Sequence, residues 1–174
     1  HRMSKEEIKR AWIDTFSQIK GAAVALLAGV ALVQIMLKSG DNPLGLDGML
    51  TVMAKCVAGL SGKVYPIISP IIGVIGSFMS GSATVSNILF SSLQFETAEI
   101  LNISPILIIS AQTIGAAIGN MICVNNVIAV CATVGCYGQE GNIIRKNLLP
   151  AFFYFLIIIS VLSALIYSGF FPSF

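Results

Sequence analysis

Charged residues are scarce in this chain of 174 residues. They make up 10% of the sequence, whereas a soluble globular domain carries about 25%. Hydrophobic residues make up 56%, and the mean hydropathy is +0.89. So few charges cannot form a water-facing surface, and the composition therefore predicts an integral membrane protein with a handful of spans of about 20 residues each. The net charge of +2 is too small to indicate a nucleic-acid partner.

Metal-binding and redox motifs are also missing. The four cysteines form no C-x-x-C pair and all lie in apolar segments, where a thiol behaves as a small hydrophobic group. We therefore expect no metal site and no cofactor. The four residues are Cys56, Cys123, Cys131 and Cys136.

Acidic residues and histidine are absent from every predicted span. A proton relay inside a membrane normally uses one of them, so no proton-coupling group is apparent in this chain. The same absence argues against an intramembrane protease. Ser80-Gly81 could suggest a serine nucleophile, but the only histidine is His1, and no histidine within the membrane could serve as its base.

The sequence predicts two regions. Residues 1–20 are expected to form an amphipathic leader helix, cytoplasmic or interfacial, because apolar residues recur on one face and Ser4 and Glu7 have the spacing of a capping box. Residues 21–174 are expected to form the membrane domain. The opening His1-Arg2-Met3 is not a natural start, and the chain is expected to be part of a longer protein.

The membrane domain contains uninterrupted and interrupted apolar segments. Residues 21–37 and 148–170 read as plain spans. Residues 48–61 would rise only about 21 Å as a helix, too little to cross the bilayer. Two further segments, 64–95 and 104–136, are interrupted by small and polar residues.

These interruptions predict the fold class. Irregular backbone at membrane depth must be covered by protein or line a watery cavity, and paired broken helices are typical of transporter sites. We therefore predict an all-α helical bundle with a re-entrant hairpin at 64–95, tipped near Ser80 to Thr84, and a broken transmembrane helix at 104–136, interrupted between Asn120 and Asn126.

Polar side chains at the breaks suit an anion. Helix N-termini present unpaired N–H groups and positive dipole ends, so a carboxylate can bind there without a basic residue. Hydroxyl and amide side chains add further donors. The candidate substrate-binding residues are Ser82, Thr84, Ser86, Asn87, Gln112, Asn120, Asn125 and Asn126. The glycines nearby are better explained by tight helix packing, since Gly115-x-x-x-Gly119 is a packing motif.

Charge predicts the topology. Basic segments favour the cytoplasm, so the N-terminal segment and the polar loop at 137–147 are expected on the same side. This requires an even number of crossings between them, which holds if the first span and the broken helix cross and the hairpin does not. The acidic loop at 96–103 and the C-terminus then face outward.

Several motifs occur in a fixed order. They are GSFMSGSATVSNILF at 76–90 with Leu93-Gln94, GAAIGNMI at 115–122, ATVG at 132–135, and GQEG at 138–141 followed by Arg145-Lys146. In sequence and spacing, from about Ala11 onward, the chain resembles the lactate permease family of proton-linked carboxylate transporters. Family members are much longer, so the resemblance implies the C-terminal portion of a longer permease.

The resemblance also implies a function. It implies secondary active transport of L-lactate, often also D-lactate and glycolate, with protons across the bacterial inner (cytoplasmic) membrane by a multi-pass protein. It implies a larger inverted-repeat transporter, in which the remaining N-terminal part of the permease and the lipid bilayer surround this chain. Two positions depart from the family pattern: Ala83, where an amide or acidic residue is frequent, and Asn125, where some members have histidine.

Two alternatives remain open at this point. One is a sodium-coupled carrier of another small carboxylate. The other is a membrane subunit or fragment that does not transport. Uptake driven by sodium rather than by pH would indicate the first, and the sequence of the full-length gene would decide the second.

Overall fold

The structure is a computed structural model that describes residues 4–168, apart from the side chains at 17, 18, 21, 22, 25 and 167. Over these residues the chain is helical and contains no strand. The elements are α1 (Lys5–Lys38), α2 (Met49–Ser61), a 3-10 turn (Gly62–Val64), α3 (Tyr65–Ser80), α4 (Ala83–Ile100), α5 (Pro105–Ile122), α6 (Val124–Val134) and α7 (Glu140–Tyr167).

The predicted leader helix and first span form one continuous helix, α1. The capping box is confirmed: Ser4 Oγ accepts from the Glu7 N–H at 3.3 Å, and Glu7 Oε2 accepts from the Ser4 N–H at 2.7 Å. The backbone hydrogen bond from Ser4 lowers the pKa of Glu7. No break occurs at residue 20, so the boundary between leader and membrane domain stays a prediction.

Three helical stretches within residues 4–168 are long and apolar enough to cross a membrane: Met49–Ser80, Pro105–Ile122 and Glu140–Ile166. The first of these is not one straight helix, because Gly62 leaves the helical region at φ +49° and ψ −130° between α2 and α3. Two shorter apolar stretches accompany them, at Leu26–Lys38 and Val124–Val134. The all-α architecture is therefore confirmed, and its apolar helices are compatible with a membrane protein.

The helices α3 and α5 run in the same direction and approach each other very closely. Gly115 lies against the backbone of Pro70 and Gly119 against that of Val74. A Cβ atom added at these glycines would come within 2.1 Å and 2.2 Å of a carbonyl oxygen. Only glycine fits such a contact, and the expected packing role of Gly115-x-x-x-Gly119 is confirmed.

The remaining helices surround this pair. Joined to α3 by a tight turn, α4 runs antiparallel to α3 and α5 and packs on both. Around Leu93, α1 and α2 cover α4, with Met36 and Leu50 in contact. Along α5, α7 packs antiparallel, with Leu162 near one end and Ala151 near the other. An apolar cavity of about 220 Å³ remains between α7 and the α3–α5 pair, lined by Ile71, Val74, Ile118, Ile122, Leu148, Ala151, Phe152 and Phe155.

Two boundaries differ from the sequence interpretation. The acidic loop expected at 96–103 is largely helical, because α4 continues to Ile100 and includes Glu96 and Glu99. Arg145 and Lys146 do not lie in a loop at 137–147, because α7 begins at Glu140 and places both in its first two turns. Glu140 in the first turn favours the helix start by its interaction with the helix dipole. The apolar residues that follow it continue into the predicted last span, so the helix begins at Glu140 and not at residue 148.

Candidate functional site

The two predicted interruptions lie next to each other. The first is the turn between α3 and α4, where Gly81 adopts a left-handed φ of +73°. The second is Cys123, whose extended backbone (φ −63°, ψ 129°) separates α5 from α6. A Cβ on Gly81 would lie 3.4 Å from Cys123 Sγ and 3.7 Å from Asn125 Cβ. Because α3 and α5 are parallel, their C-terminal ends reach the same level and form one junction.

Asn126 connects the two sides of this junction. Its Nδ2 donates to the Gly81 carbonyl at 3.2 Å and to Asn120 Oδ1 at 2.7 Å. The Asn120 carbonyl is also within 3.4 Å. The structure thus brings two of the candidate residues, Asn120 and Asn126, into direct contact and ties them to the turn of the hairpin.

Two helix N-termini open at the junction. Ser82 caps α4, its Oγ accepting from the Val85 N–H at 3.3 Å. Cys123 holds the same position before α6 but makes no side-chain capping bond, so the first N–H groups of α6 have no intrahelical partner. Thr84 and Asn125 are the second residues of these helices, and both are exposed. Positive dipole ends with free N–H groups and exposed polar side chains suit a carboxylate.

Two other candidates, Ser86 and Gln112, lie away from this surface and are fully buried. Gln112 Nε2 donates to Ser86 Oγ at 3.2 Å, and Ser86 Oγ donates to the Gly73 carbonyl at 3.1 Å. These bonds join α5, α4 and α3 in the interior. The structure therefore places Ser86 and Gln112 in contact with each other and with protein on every side.

This interior chain of hydrogen bonds continues through residues that the sequence did not single out as site residues. Gln94 Nε2 donates to Gln112 Oε1 at 2.9 Å and to the Ser69 carbonyl at 3.1 Å. The Tyr65 hydroxyl donates to Gln94 Oε1 at 2.5 Å. Tyr65 and Gln94 are both fully buried. In the sequence, Tyr65 and Gln94 are distinguished only as polar groups within apolar segments. A polar group that is buried in such a segment needs a hydrogen-bond partner.

Asn87 differs from the other candidates. Its Oδ1 is buried and has no hydrogen-bond donor among the described residues, a property it shares with Ser77 Oγ. Asn87 lies two turns before Gln94, on the face of α4 that meets α5. An unpaired buried acceptor costs free energy, so Asn87 is a place where a ligand hydroxyl would be stabilising. Among the described residues, no group of three or more His, Cys, Asp or Glu could hold a metal ion.

Apolar helices that break partway along their length, with the broken ends meeting in a polar junction, are typical of integral membrane proteins of the secondary-transporter type. Comparison with known proteins is more specific. The sequence model of the L-lactate permease family matches residues 1–168, and the chain belongs to this family. The family consists of transporters, which confirms the expectation that the chain is not part of an enzyme.

Individual proteins similar to this chain are also named as lactate or glycolate permeases. A candidate L-lactate permease of Haemophilus influenzae is 36% identical over 156 residues, which are 90% of this chain and 28% of that protein. A glycolate permease of Escherichia coli is 36% identical over 71% of this chain and 22% of its own length. An L-lactate permease of Bacillus subtilis is 33% identical over 64% of this chain and 20% of its own length. No solved structure matches the chain at a significant level.

The chain therefore spans less than a third of the length of these relatives. This agrees with the expectation that it is one portion of a longer permease.

Proposed function

We propose that the chain is the C-terminal portion of a secondary active transporter that carries L-lactate, and also D-lactate and glycolate, with protons across the bacterial inner membrane. Family membership and the relatives named for lactate and glycolate support this proposal. The single structural observation that carries it is the meeting of the α4 and α6 N-termini at Gly81 and Cys123. That junction offers an anion site without a fixed positive side chain.

In the proposed complex, the substrate carboxylate lies between the two N-termini. The free N–H groups of α6, the Thr84 hydroxyl and the Asn125 amide donate to its oxygens. Ser82 remains the cap of α4 and contributes through its position at the same turn. No lysine or arginine is required, so the carboxylate is held loosely enough to leave again.

The 2-hydroxyl of the substrate has a partner of its own in this arrangement. Asn87 lies one helical turn beyond Thr84, and side chains at this spacing are about 5–6 Å apart. Asn87 Oδ1 has no donor among the described residues. The 2-hydroxyl would donate to it, which gives a physical basis for preferring lactate and glycolate over a carboxylate without a hydroxyl.

The remaining candidates support the site from inside. Ser86 and Gln112 hold α4 against α5 through their mutual bond. Asn120 lies at the last turn of α5 and accepts from Asn126. Seven of the eight candidate residues thus belong to the junction or to the interior chain beneath it, and Asn87 lies on α4 one turn beyond Thr84.

We also infer that the α3–α4 hairpin is re-entrant. Asn147 Nδ2 donates to the Met121 carbonyl at 3.3 Å, so the part of α7 before Asn147 extends past the end of α5 by about 10 Å. The α6 helix, of 11 residues, packs on this extension and rises by about 16 Å. The hairpin turn lies at the end of α5, and these lengths support a tip that stops short of the membrane face.

A tip at this depth needs cover. Thr84 and Asn125 are exposed polar residues, and unpaired polar groups in lipid cost several kcal/mol each. The proposed inverted repeat supplies that cover from the rest of the permease, which would also hold the proton-coupling group. The carboxylate of Glu96 accepts from Thr51 Oγ1 at 2.9 Å, near the other end of α4, and is too far from the junction to act there.

The test is uptake of labelled L-lactate by the permease that contains this chain, in cells lacking other lactate carriers. An inwardly directed proton gradient is expected to drive L-lactate uptake. Unlabelled D-lactate and glycolate should compete with L-lactate for uptake, and propionate should compete poorly. Uptake that requires a sodium gradient and does not depend on the pH gradient would favour a sodium-coupled carrier. Absence of uptake by a well-expressed protein would contradict a transport function.

A further inference from the structure

We propose that Asn126 is a positioning residue that holds the hairpin turn against the α5–α6 break and so keeps the substrate site assembled. The inference rests on the proposed function only in naming the site that is held. Its structural content, closure of the turn over Cys123, can be measured without transport.

The donor count gives Asn126 this role. A side-chain amide has two N–H donors on Nδ2. Asn120 Oδ1 at 2.7 Å and the Gly81 carbonyl at 3.2 Å account for both. No donor then remains for a substrate carboxylate. Asn126 therefore acts through its neighbours, unlike Asn125, whose exposed side chain is free to donate.

Asn126 is also the one residue that can do this among those described. Within the turn, Ser80 and Ser82 bond to each other, and Ser82 also accepts from the N–H groups of Val85 and Ser86 in its own helix. The Gly81 N–H donates to the Ser77 carbonyl of α3. Among the described residues, the bond from Asn126 to Gly81 is the only hydrogen bond from the turn to α5 or α6. The interior chain holds the hairpin further along but does not reach the turn.

The backbone at Gly81 makes the turn responsive to this bond. Gly81 has a left-handed φ, which glycine reaches without strain and also leaves readily. A single bond at such a position decides how large a fraction of the time the turn lies against Cys123. If the site is assembled only when the turn is closed, the apparent affinity for substrate falls in proportion to the closed fraction.

Cys123 reports the closure directly. Its side chain is 1% exposed, and the turn at Gly81 covers its thiol. Opening of the turn would expose the thiol to small water-soluble reagents, which react with exposed thiolates far faster than with buried ones. Replacing Cys56, Cys131, Cys136 and every cysteine in the rest of the permease with serine leaves Cys123 as the single reporter.

The experiment measures the rate at which a small maleimide labels Cys123 in membranes containing the whole permease. Asn126→Ala is expected to raise the rate about tenfold, equivalent to about 1.4 kcal/mol. Asn142→Ala is the matched control, because Asn142 is exposed and bonds only to Gln139. It should leave the rate unchanged.

Further variants separate positioning from general damage. Asn126→Asp keeps the shape of the side chain but has no N–H to donate, so Cys123 should be labelled as fast in this variant as in Asn126→Ala. Asn120→Ala removes one acceptor and should have a smaller effect. Adding it to Asn126→Ala should then change nothing more, because both substitutions break the same bond.

Transport gives the second readout. Asn126→Ala should raise the half-saturating lactate concentration in proportion to the loss of the closed fraction, while leaving the maximal rate largely intact. This factor is smaller than the rise in labelling rate as long as the turn stays mostly closed, because labelling follows the open fraction. An unchanged Cys123 labelling rate in both Asn126 variants would overturn the proposal. Faster labelling in a protein that transports no lactate would support the closure by Asn126 and contradict the proposed function instead.

Discussion

The side-chain amide of Gln94 donates to Oε1 of Gln112 over 2.9 Å, and neither residue has any exposed surface. The bond connects α4 to α5 near the middle of both helices. Each amide also has a partner on a further residue, Tyr65 for Gln94 and Ser86 for Gln112. Loss of one member therefore leaves several buried groups without partners.

Replacement of Gln94 should accordingly destabilise the fold. Gln94→Ala removes the partner of the Tyr65 hydroxyl and of Gln112 Oε1, at a cost of about 1–3 kcal/mol for each buried group left unpaired. The midpoint of thermal denaturation in detergent should fall clearly. Gln34→Ala is the control, since Gln34 is exposed on α1. Equal midpoints for the two variants would show that the interior chain contributes little.

The glycine contact between α3 and α5 makes a second prediction. A methyl group at position 115 would overlap the Pro70 carbonyl, and overpacking of this kind costs about 1–3 kcal/mol. Gly115→Ala should therefore reduce thermal stability and the yield of folded protein. Gly59→Ala places a methyl where no atom lies within 4 Å, inside α2. It should be neutral or slightly stabilising, and similar losses from both substitutions would contradict the packing role.

The proposed substrate contacts make a third prediction. Thr84→Ala and Asn87→Ala should each raise the half-saturating lactate concentration about tenfold, since a hydrogen bond to a charged or buried group contributes about 1.5–3 kcal/mol. The measurement is lactate uptake at several concentrations, normalised to the amount of protein in the membrane. Thr15→Ala is the matched control, because the Thr15 hydroxyl donates only to the Ala11 carbonyl within its own helix.

Asn87→Ala should in addition narrow the difference between lactate and propionate, because the 2-hydroxyl would lose its acceptor. If both variants reach normal levels and transport with unchanged affinity, the junction does not bind substrate.

Membrane topology can be tested independently. Residues 96–103 and the segment after α6 lie at opposite ends of α5 and α6. A single cysteine at Glu99 should react with an impermeant reagent from outside the cell, and one at Gln139 only from the cytoplasm. Both belong in a background without the native cysteines. Labelling at Glu99 from the cytoplasmic side alone would reverse the proposed orientation.

The sequence was sufficient for the helices and for the positions of their breaks. These features depend on residues close together in the sequence, and such local patterns can be recognised in the sequence alone. Examples are the apolar runs, the capping box at Ser4 and the polar stretch from Asn120 to Asn126. Composition divides the long helix α1 in two, because a change from polar to apolar residues marks a change of surroundings. Such a change does not require a change of backbone, and for the same reason composition predicts a later start for α7 than the structure has.

The contacts between helices could not be predicted in the same way. That Ser86 bonds Gln112, and that Gln94 lies between Gln112 and Tyr65, depends on how far α4 is shifted along α5. Hydrophobic periodicity gives the face of a helix but not this shift. The meeting of Gly81 with Cys123 depends likewise on the parallel alignment of α3 and α5, which the glycine contacts fix.

Those glycine contacts have a mechanical consequence. With backbone against backbone at Gly115 and Gly119, and polar side chains bonded across α4, the three helices α3, α4 and α5 have no room to slide or rotate relative to one another. Their boundary with α7 is different, because branched and aromatic side chains there line an apolar cavity instead of packing backbone against backbone. Compliance is therefore concentrated at that boundary and at the junction of the Gly81 turn with Cys123, and a transport cycle would carry the helical parts of α3, α4 and α5 as one rigid body.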